Sequence, residues 1–257
     1  MASPSIPGTT SSAVAAANGA DSSTQVAFVA GASRGIGAAV ASGLRAAGWR
    51  VLACSRTPGD NGHDPDRVAA DLSTEVGITA ASEFLTTSTN RLDALVLCAG
   101  TLFVDKTPRI TAAKTLDALR INVGPLVGLA PAAIRLMTPQ GHGRIVVVGS
   151  VGAYRVTAGN GRYAASKAAL EAVVRTAARE LGPVGITVNL VAPGFTDTAM
   201  LSRGSAVWRA ERIAEIPRAR WAEPEEVARP LIALLDPRAS YINGATVMID
   251  GGYAMGR

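Results

Sequence analysis

Lysine is nearly missing from this sequence: of its 25 lysines and arginines, only Lys106, Lys114 and Lys167 are lysines. A chain that otherwise chooses arginine has a reason to keep lysine where a site needs a compact point charge rather than a broad planar guanidinium. Histidine and cysteine are as scarce, and His63, His142, Cys54 and Cys98 form no metal-ligand spacing, so no metal is expected. Both cysteines lie in apolar runs that read as strands and are expected as buried free thiols. Aromatic residues make up 4% of the chain, and no run of basic residues is interleaved with them. The net charge of +5 therefore does not mark a nucleic-acid surface. No uninterrupted apolar run approaches the ~18 residues of a membrane-spanning helix. Residues 1–24 are rich in Ser, Ala, Thr, Gly and Pro and lack the basic start and apolar centre of a secretory signal. They are expected as a flexible N-terminal tail, and the protein as cytoplasmic with no membrane partner.

What is abundant is glycine (27 residues) and a hydrophobic content of 48% in 257 residues, the composition of one well-buried α/β domain over residues 25–257. The stretch QVAFVAGASRGIGAAVASGLRAAGWRVLACSR passes from an apolar run through glycines to a helical pattern and then to a second apolar run. RVAAD reads as a third strand, and LDALVLCAG, GRIVVVGS, GITVNLVAPG and GATVMIDGG as four more. Helical patterns fall at about 74–88, 111–137, 161–181 and 223–236. Strand alternating with helix predicts a single Rossmann-type, doubly wound parallel sheet. Only residues 57–66 separate the second strand from the third, so the crossover helix there is expected to be short or absent.

Gly31, Gly35 and Gly37 follow the first strand and open a helix, where backbone N–H groups and the positive end of the helix dipole suit a pyrophosphate. At the end of the second strand, a site for NAD calls for a carboxylate to hold both ribose hydroxyls. The chain has Ser55 and Arg56 there, with no acid before Asp60, and Arg34 inside the glycine turn. Two guanidiniums converging where a 2′-phosphate would lie favour NADP(H); taken singly, each reads as a solvated surface arginine.

GASRGIG at 31–37, Asp71-Leu72 after the third strand, CAG at 98–100, Asn122, Ser150, YAASK at 163–167, NLVAPGFTDT at 189–198 and the closing IDGG together resemble the short-chain dehydrogenase/reductase family. The likeness runs from about residue 25 to the C-terminus, and within the family the chain looks most like bacterial 3-oxoacyl-[acyl-carrier-protein] reductases. Two positions depart from the usual pattern: Ala30 stands where a threonine is common, and Cys98 where an asparagine is. The resemblance implies cofactor contacts from Gly31, Ser33, Arg34, Gly35, Ile36, Gly37, Arg56, Asp71, Leu72, Cys98, Ala99, Gly100, Tyr163, Lys167, Pro193, Gly194, Thr196 and Thr198. It implies a catalytic set of Asn122, Ser150, Tyr163 and Lys167, with Tyr163 as proton donor, Ser150 holding the substrate carbonyl, and Asn122 bending its helix to support a water relay to the lysine. It also implies a homotetramer.

The chemistry is reasonable from the residues themselves. A phenol titrates near pH 10, and a lysine four residues on lies on the same helix face. At ~4 Å and an effective dielectric of ~20 its charge is worth about 4 kcal/mol, enough to bring the phenol towards neutrality. The expected activity is NADPH-dependent reduction of a ketone, a 3-oxoacyl thioester or a related β-keto substrate, to a secondary alcohol. The alternatives are an oxidative alcohol or hydroxysteroid-type dehydrogenase and a non-catalytic nucleotide-sensing protein of the same fold. Substrate choice is expected from residues 151–162 and 199–216. Phe195, Met200, Leu201 and Trp208 read equally as pocket wall, helix core or subunit interface. Tyr154, Arg155 and Arg162 are candidates to meet a polar or anionic substrate group. An acyl carrier protein partner would need a basic landing patch, for which Arg144, Arg155, Arg162 and Arg203 are the available residues; the expectation is weak carrier dependence.

Overall fold

The computed structural model describes residues 24–57, 64–202 and 204–255. Apart from Thr24, the expected N-terminal tail lies outside these residues, as do Asp60, His63 and Arg203.

Seven parallel strands form one sheet in the order β3-β2-β1-β4-β5-β6-β7. They are β1 (Val26–Ala30), β2 (Arg50–Ser55), β3 (Arg67–Ala69), β4 (Ala94–Leu97), β5 (Gly143–Val148), β6 (Ile186–Pro193) and β7 (Thr246–Ile249). The helices are α1 (Gly35–Ala46), α2 (Glu75–Ser88), α3 (Ala112–Asn122), α4 (Gly124–Met137), α5 (Gly161–Leu181), α6 (Ala206–Ala214) and α7 (Pro224–Ala233). Strands buried on both faces read as continuous apolar runs, and β1, β4, β5 and β6 are buried along their whole length. Successive residues serve opposite faces: Ala27 and Val29 pack with α1 and α7, whereas Val26, Phe28 and Ala30 pack with α2, α4 and α5. Local chemistry sets the helix starts. Thr74, Thr111 and Ser205 each accept a backbone N–H of the first turn of α2, α3 and α6, and Glu223 forms a reciprocal capping box with Glu226 at α7.

Between β2 and β3 the described residues carry no helix. The third strand is instead held close by Ala53 N–H donating to the Asp66 carbonyl at 2.8 Å and by the Arg50–Asp66 ion pair at 2.7 Å. The helical stretch Ala112–Gln140, mean hydropathy 1.3, is the one among the described residues long and apolar enough to cross a membrane by length and composition. Uninterrupted apolar runs in the sequence do not show it, because the stretch joins α3 to α4. Leu126, Leu129, Ala133 and Met137 on it are buried in the core. Strand order reverses between β1 and β4, which opens a crevice beyond the C-terminal ends of the strands.

Candidate active site

The glycine turn sits in that crevice. Gly31 has φ +84° and Gly35 φ +55°, conformations that favour glycine. A Cβ on Gly37 would stand 2.1 Å from the Gly31 carbonyl oxygen, so α1 can start this close to β1 only without a side chain there. No side chain caps α1 and no acid lies in its first turn. Its first N–H groups and dipole are therefore available to an anion, and the cradle fits a pyrophosphate. Ser33, Arg34 and Arg56 are exposed, and neither arginine joins an ion pair among the described residues. Asp71 is exposed too; its carboxyl is held low mainly by the Ser73 backbone and side chain, with the charge of Arg56 contributing. The Leu72 side chain points into the core, and Ile36 packs against the opposite apolar layer.

The remaining residues expected at the cofactor lie around the same crevice. A Cβ on Gly31 would meet the Ala99 backbone nitrogen at 2.8 Å, and one on Gly35 would meet the Thr198 methyl at 3.1 Å. The segment after Pro193 is thus folded back over the glycine turn, and Thr196 in it is buried. Cys98, in the asparagine position, keeps the sheet paired through its N–H to the Ala30 carbonyl at 2.9 Å. Burial pushes its thiol up to about 12, against the opposing charge of Lys167.

Ser150 ends the run from β5 and caps a 3-10 turn over Val151–Ala153, its Oγ accepting the Gly152 N–H at 3.0 Å. That turn faces the start of α5, where the Tyr163 hydroxyl and Ser150 interact. Lys167, one turn further, is buried and donates to the Val148 carbonyl at 2.9 Å. Asn122 is the last residue of α3, and the helix breaks at Val123 before α4. Its amide accepts from Thr101 N–H at 2.8 Å and donates to the Thr101 carbonyl at 3.1 Å and to Ser166 Oγ at 2.9 Å. Ser166 in turn donates to the Tyr163 carbonyl at 2.7 Å. The four residues expected to act together are therefore neighbours on three elements, with Asn122 tying the loop after β4 to α5. Ser166 was missed in sequence because a small residue on an Ala-rich helix carries no signal of its partners.

Three expectations need correction. Lys167 does not bring the Tyr163 phenol towards neutrality. Its ammonium lies 6.0 Å from the ring centroid, and burial raises the phenol above its ordinary value, with Ser150 opposing. Burial also lowers Lys167 itself, to about 8. Second, Tyr154, Arg155 and Arg162 are not free to meet substrate. The Tyr154 hydroxyl donates to Glu171; Arg155 binds Glu215 and the Tyr253 carbonyl; Arg162 binds Asp105 at 2.6 Å and stacks on Phe103. Third, Arg144 is buried and donates to the Gly143 and Pro237 carbonyls, so it offers no landing charge. Phe195 and Trp208 join Trp221 and Tyr253 in one aromatic cluster with ring centroids 5.1–5.9 Å apart. Leu201 packs against the core while Met200 is exposed. A depression lined by Phe195, Arg218, Arg220, Glu226 and Asp250, among others, includes none of Ser150, Tyr163 and Lys167, and its charges balance in sign.

A family profile described as Enoyl-(Acyl carrier protein) reductase matches residues 31–254. The short-chain reductase protein NovJ of Streptomyces niveus is 36% identical over 263 residues, which cover 95% of this chain and 99% of that protein. The 3-oxoacyl-[acyl-carrier-protein] reductase FabG of Vibrio cholerae is 34% identical over 241 residues, covering 90% and 98%. Among solved structures, the Pseudomonas aeruginosa RhlG/NADP active-site complex superposes with a TM-score of 0.81 at 30% identity, over 90% of this chain and 96% of that one. A Beutenbergia cavernae protein with NADP bound at low occupancy gives 0.83 at 32% identity, over 90% and 97%.

Proposed function

The chain belongs to the short-chain dehydrogenase/reductase family, and from that premise we propose that it uses NADPH to reduce a ketone, a 3-oxoacyl thioester or a related β-keto compound, to a secondary alcohol. It is an NADP(H)-dependent oxidoreductase. The glycine turn, the uncapped start of α1 and the exposed Arg34 and Arg56 would hold the cofactor. When bound, its nicotinamide supplies a hydride to the carbonyl carbon.

The observation that carries this reading is the arrangement of the buried Tyr163 phenol beside Ser150, with Lys167 one turn further along α5. A phenol that keeps its proton at neutral pH is a donor. It gives that proton to the carbonyl oxygen, which Ser150 Oγ holds by a hydrogen bond. The phenolate left behind is stabilised by Ser150. Run in reverse the same groups would oxidise an alcohol, and the likeness to 3-oxoacyl reductases is what favours the reductive direction. The carrier dependence is weak in this reading, because Arg144, Arg155 and Arg162 are all engaged inside the fold.

The test follows NADPH oxidation with simple ketones, a 3-oxoacyl thioester in free and carrier-bound form, and a 2-enoyl thioester. Ketone turnover, lost in Tyr163→Phe with NADPH binding retained, is the expected result. Turnover of the enoyl compound alone, or near-normal activity in Tyr163→Phe, would sink the reading. A large, salt-sensitive preference for the carrier-bound form would show that a landing patch exists.

A further inference from the structure

The side chain of Arg155 is the one polar tie between the Ser150 turn and α6 among the described residues. Its backbone belongs to the turn: Arg155 N–H donates to the Val151 carbonyl at 2.9 Å, next to the N–H that Ser150 caps. Its guanidinium leaves the turn and forks. One arm donates to Glu215 Oε2 at 2.9 Å, immediately past the end of α6. The other donates to the Tyr253 carbonyl, and the guanidinium plane lies 4.0 Å from the centroid of the Tyr253 ring. Tyr253 is buried and meets Phe195 edge-on at 5.1 Å, and Phe195 meets Trp208 of α6 at 5.9 Å. One side chain thus reaches α6 twice, through Glu215 and through the aromatic cluster.

The apolar contacts of α6 are too few to fix it unaided. None of its residues is fully buried, and Trp208 and Ile213 are its partly buried inner face. Arg209 holds the start of the helix through Asp197 and by stacking on Trp221, whereas Arg212 pairs with Glu211 and Glu215 within its last turn and leaves that end tied only to itself. Without Arg155, Glu215 would keep only Arg212, which ties the helix to itself. Charge-assisted bonds from a fixed planar fork are stronger and more directional than neutral ones, and the stack adds to them.

We propose that Arg155 is a positioning residue for the ketone: by pinning α6 to the Ser150 turn it sets the substrate side of the site and leaves the cofactor side alone. None of its contacts reaches the glycine turn, Arg34 or Arg56. The proposal rests on the ketone-reductase reading for its kinetic consequence, but not for its structural one.

The experiment compares Arg155→Met, Arg155→Lys and Glu215→Gln with the unaltered protein by steady-state kinetics and by amide hydrogen exchange of residues 206–215. Methionine keeps an apolar stem over Tyr253 and removes the fork. The expected result for Arg155→Met is a ketone KM raised about tenfold or more, kcat within about threefold, NADPH KM within about twofold, and exchange in α6 faster by about tenfold. Arg155→Lys, with one ammonium for two partners, should fall between, and Glu215→Gln should shift both readouts in the same direction. Unchanged exchange in α6 overturns the proposal, as does lower thermal stability with unchanged ketone KM. If Arg155→Met does not fold, Glu215→Gln decides by the same two readouts. If the unaltered protein reduces no ketone, the proposed reaction fails while the exchange of α6 still decides whether the tie exists.

Discussion

The buried Lys167 has a measurable cost to the fold. Folding lowers Lys167 from 10.5 to about 8 because burial disfavours its charge. Between these two values the unfolded chain binds a proton that the folded chain has released, so stability should rise with pH across that window. The shift corresponds to about 3 kcal/mol. Cys54 and Cys98 act in the opposite sense, since burial raises both thiols to about 12 and the unfolded chain loses their protons first. Those terms cancel in a comparison with Lys167→Met. Urea unfolding from pH 7 to 10 should show the unaltered protein gaining about 3 kcal/mol relative to the variant, and parallel curves would contradict the burial argument. The proposed cofactor preference also rests on single residues. Arg34 and Arg56 stand exposed with no carboxylate in the second strand's last turn. Arg56→Asp should narrow or reverse the preference for NADPH, read as the ratio of kcat/KM for the two cofactors; an unchanged ratio would remove Arg56 from the site.

At the scale of elements, the sequence was most legible where burial is two-sided or a cap is present. Strands β1, β4, β5 and β6 were found because both of their faces are covered, and the helices over 74–88, 161–181 and 223–236 because their apolar spacing and starts agree. The pattern over 111–137 was read as one helix bent at Asn122, and the chain goes further by breaking it at Val123, where the Asn122 amide meets Thr101 and Ser166. Helix α6 was not read as a helix, although Ser205 caps it and its pattern is amphipathic, because it is short and none of its residues is fully buried. Partners remote in sequence were not legible at all: those of Arg155 lie 60 and 98 residues away and the carboxylate of Arg162 lies 57 away. Charge alone therefore made both arginines look open to substrate. The link from α6 to α7 hides a further local feature. Ala219 is the one non-glycine residue with positive φ among the described residues, at 53°, closing a turn by its N–H to the Ile216 carbonyl at 2.8 Å. The left-handed region costs an L-residue about 1–2 kcal/mol, and glycine gives back about 0.4–1 kcal/mol through its freer unfolded chain. Ala219→Gly should raise the urea midpoint by the equivalent of about 0.5–1 kcal/mol; a lower midpoint would mean the turn is not strained.

For the whole molecule, the open question is how the far edge of the sheet is covered. Among the described residues strand β7 pairs with β6 alone, so its other edge presents unpaired backbone groups. Around it stand apolar side chains in contact with solvent: Met248 is 41% exposed, Ile242 41%, and Tyr241 fully so. A flat, apolar edge without lysine or proline is a template for another strand or sheet, and isolated domains usually protect such an edge. Exposed apolar side chains on α3 and α4, Leu116 and Val127, offer a second such surface on another side of the chain. Two self-complementary contacts of this kind, each about a two-fold axis, close into a tetramer rather than an open chain. The expected result is a four-chain mass by light scattering at micromolar concentration. Met248→Glu would set two like charges and their desolvation cost against each other across a two-fold contact at β7, and should divide that assembly into dimers held by the helical surface. A monomer from the unaltered protein would overturn the tetramer, and a tetramer that survives Met248→Glu would remove β7 from the contact.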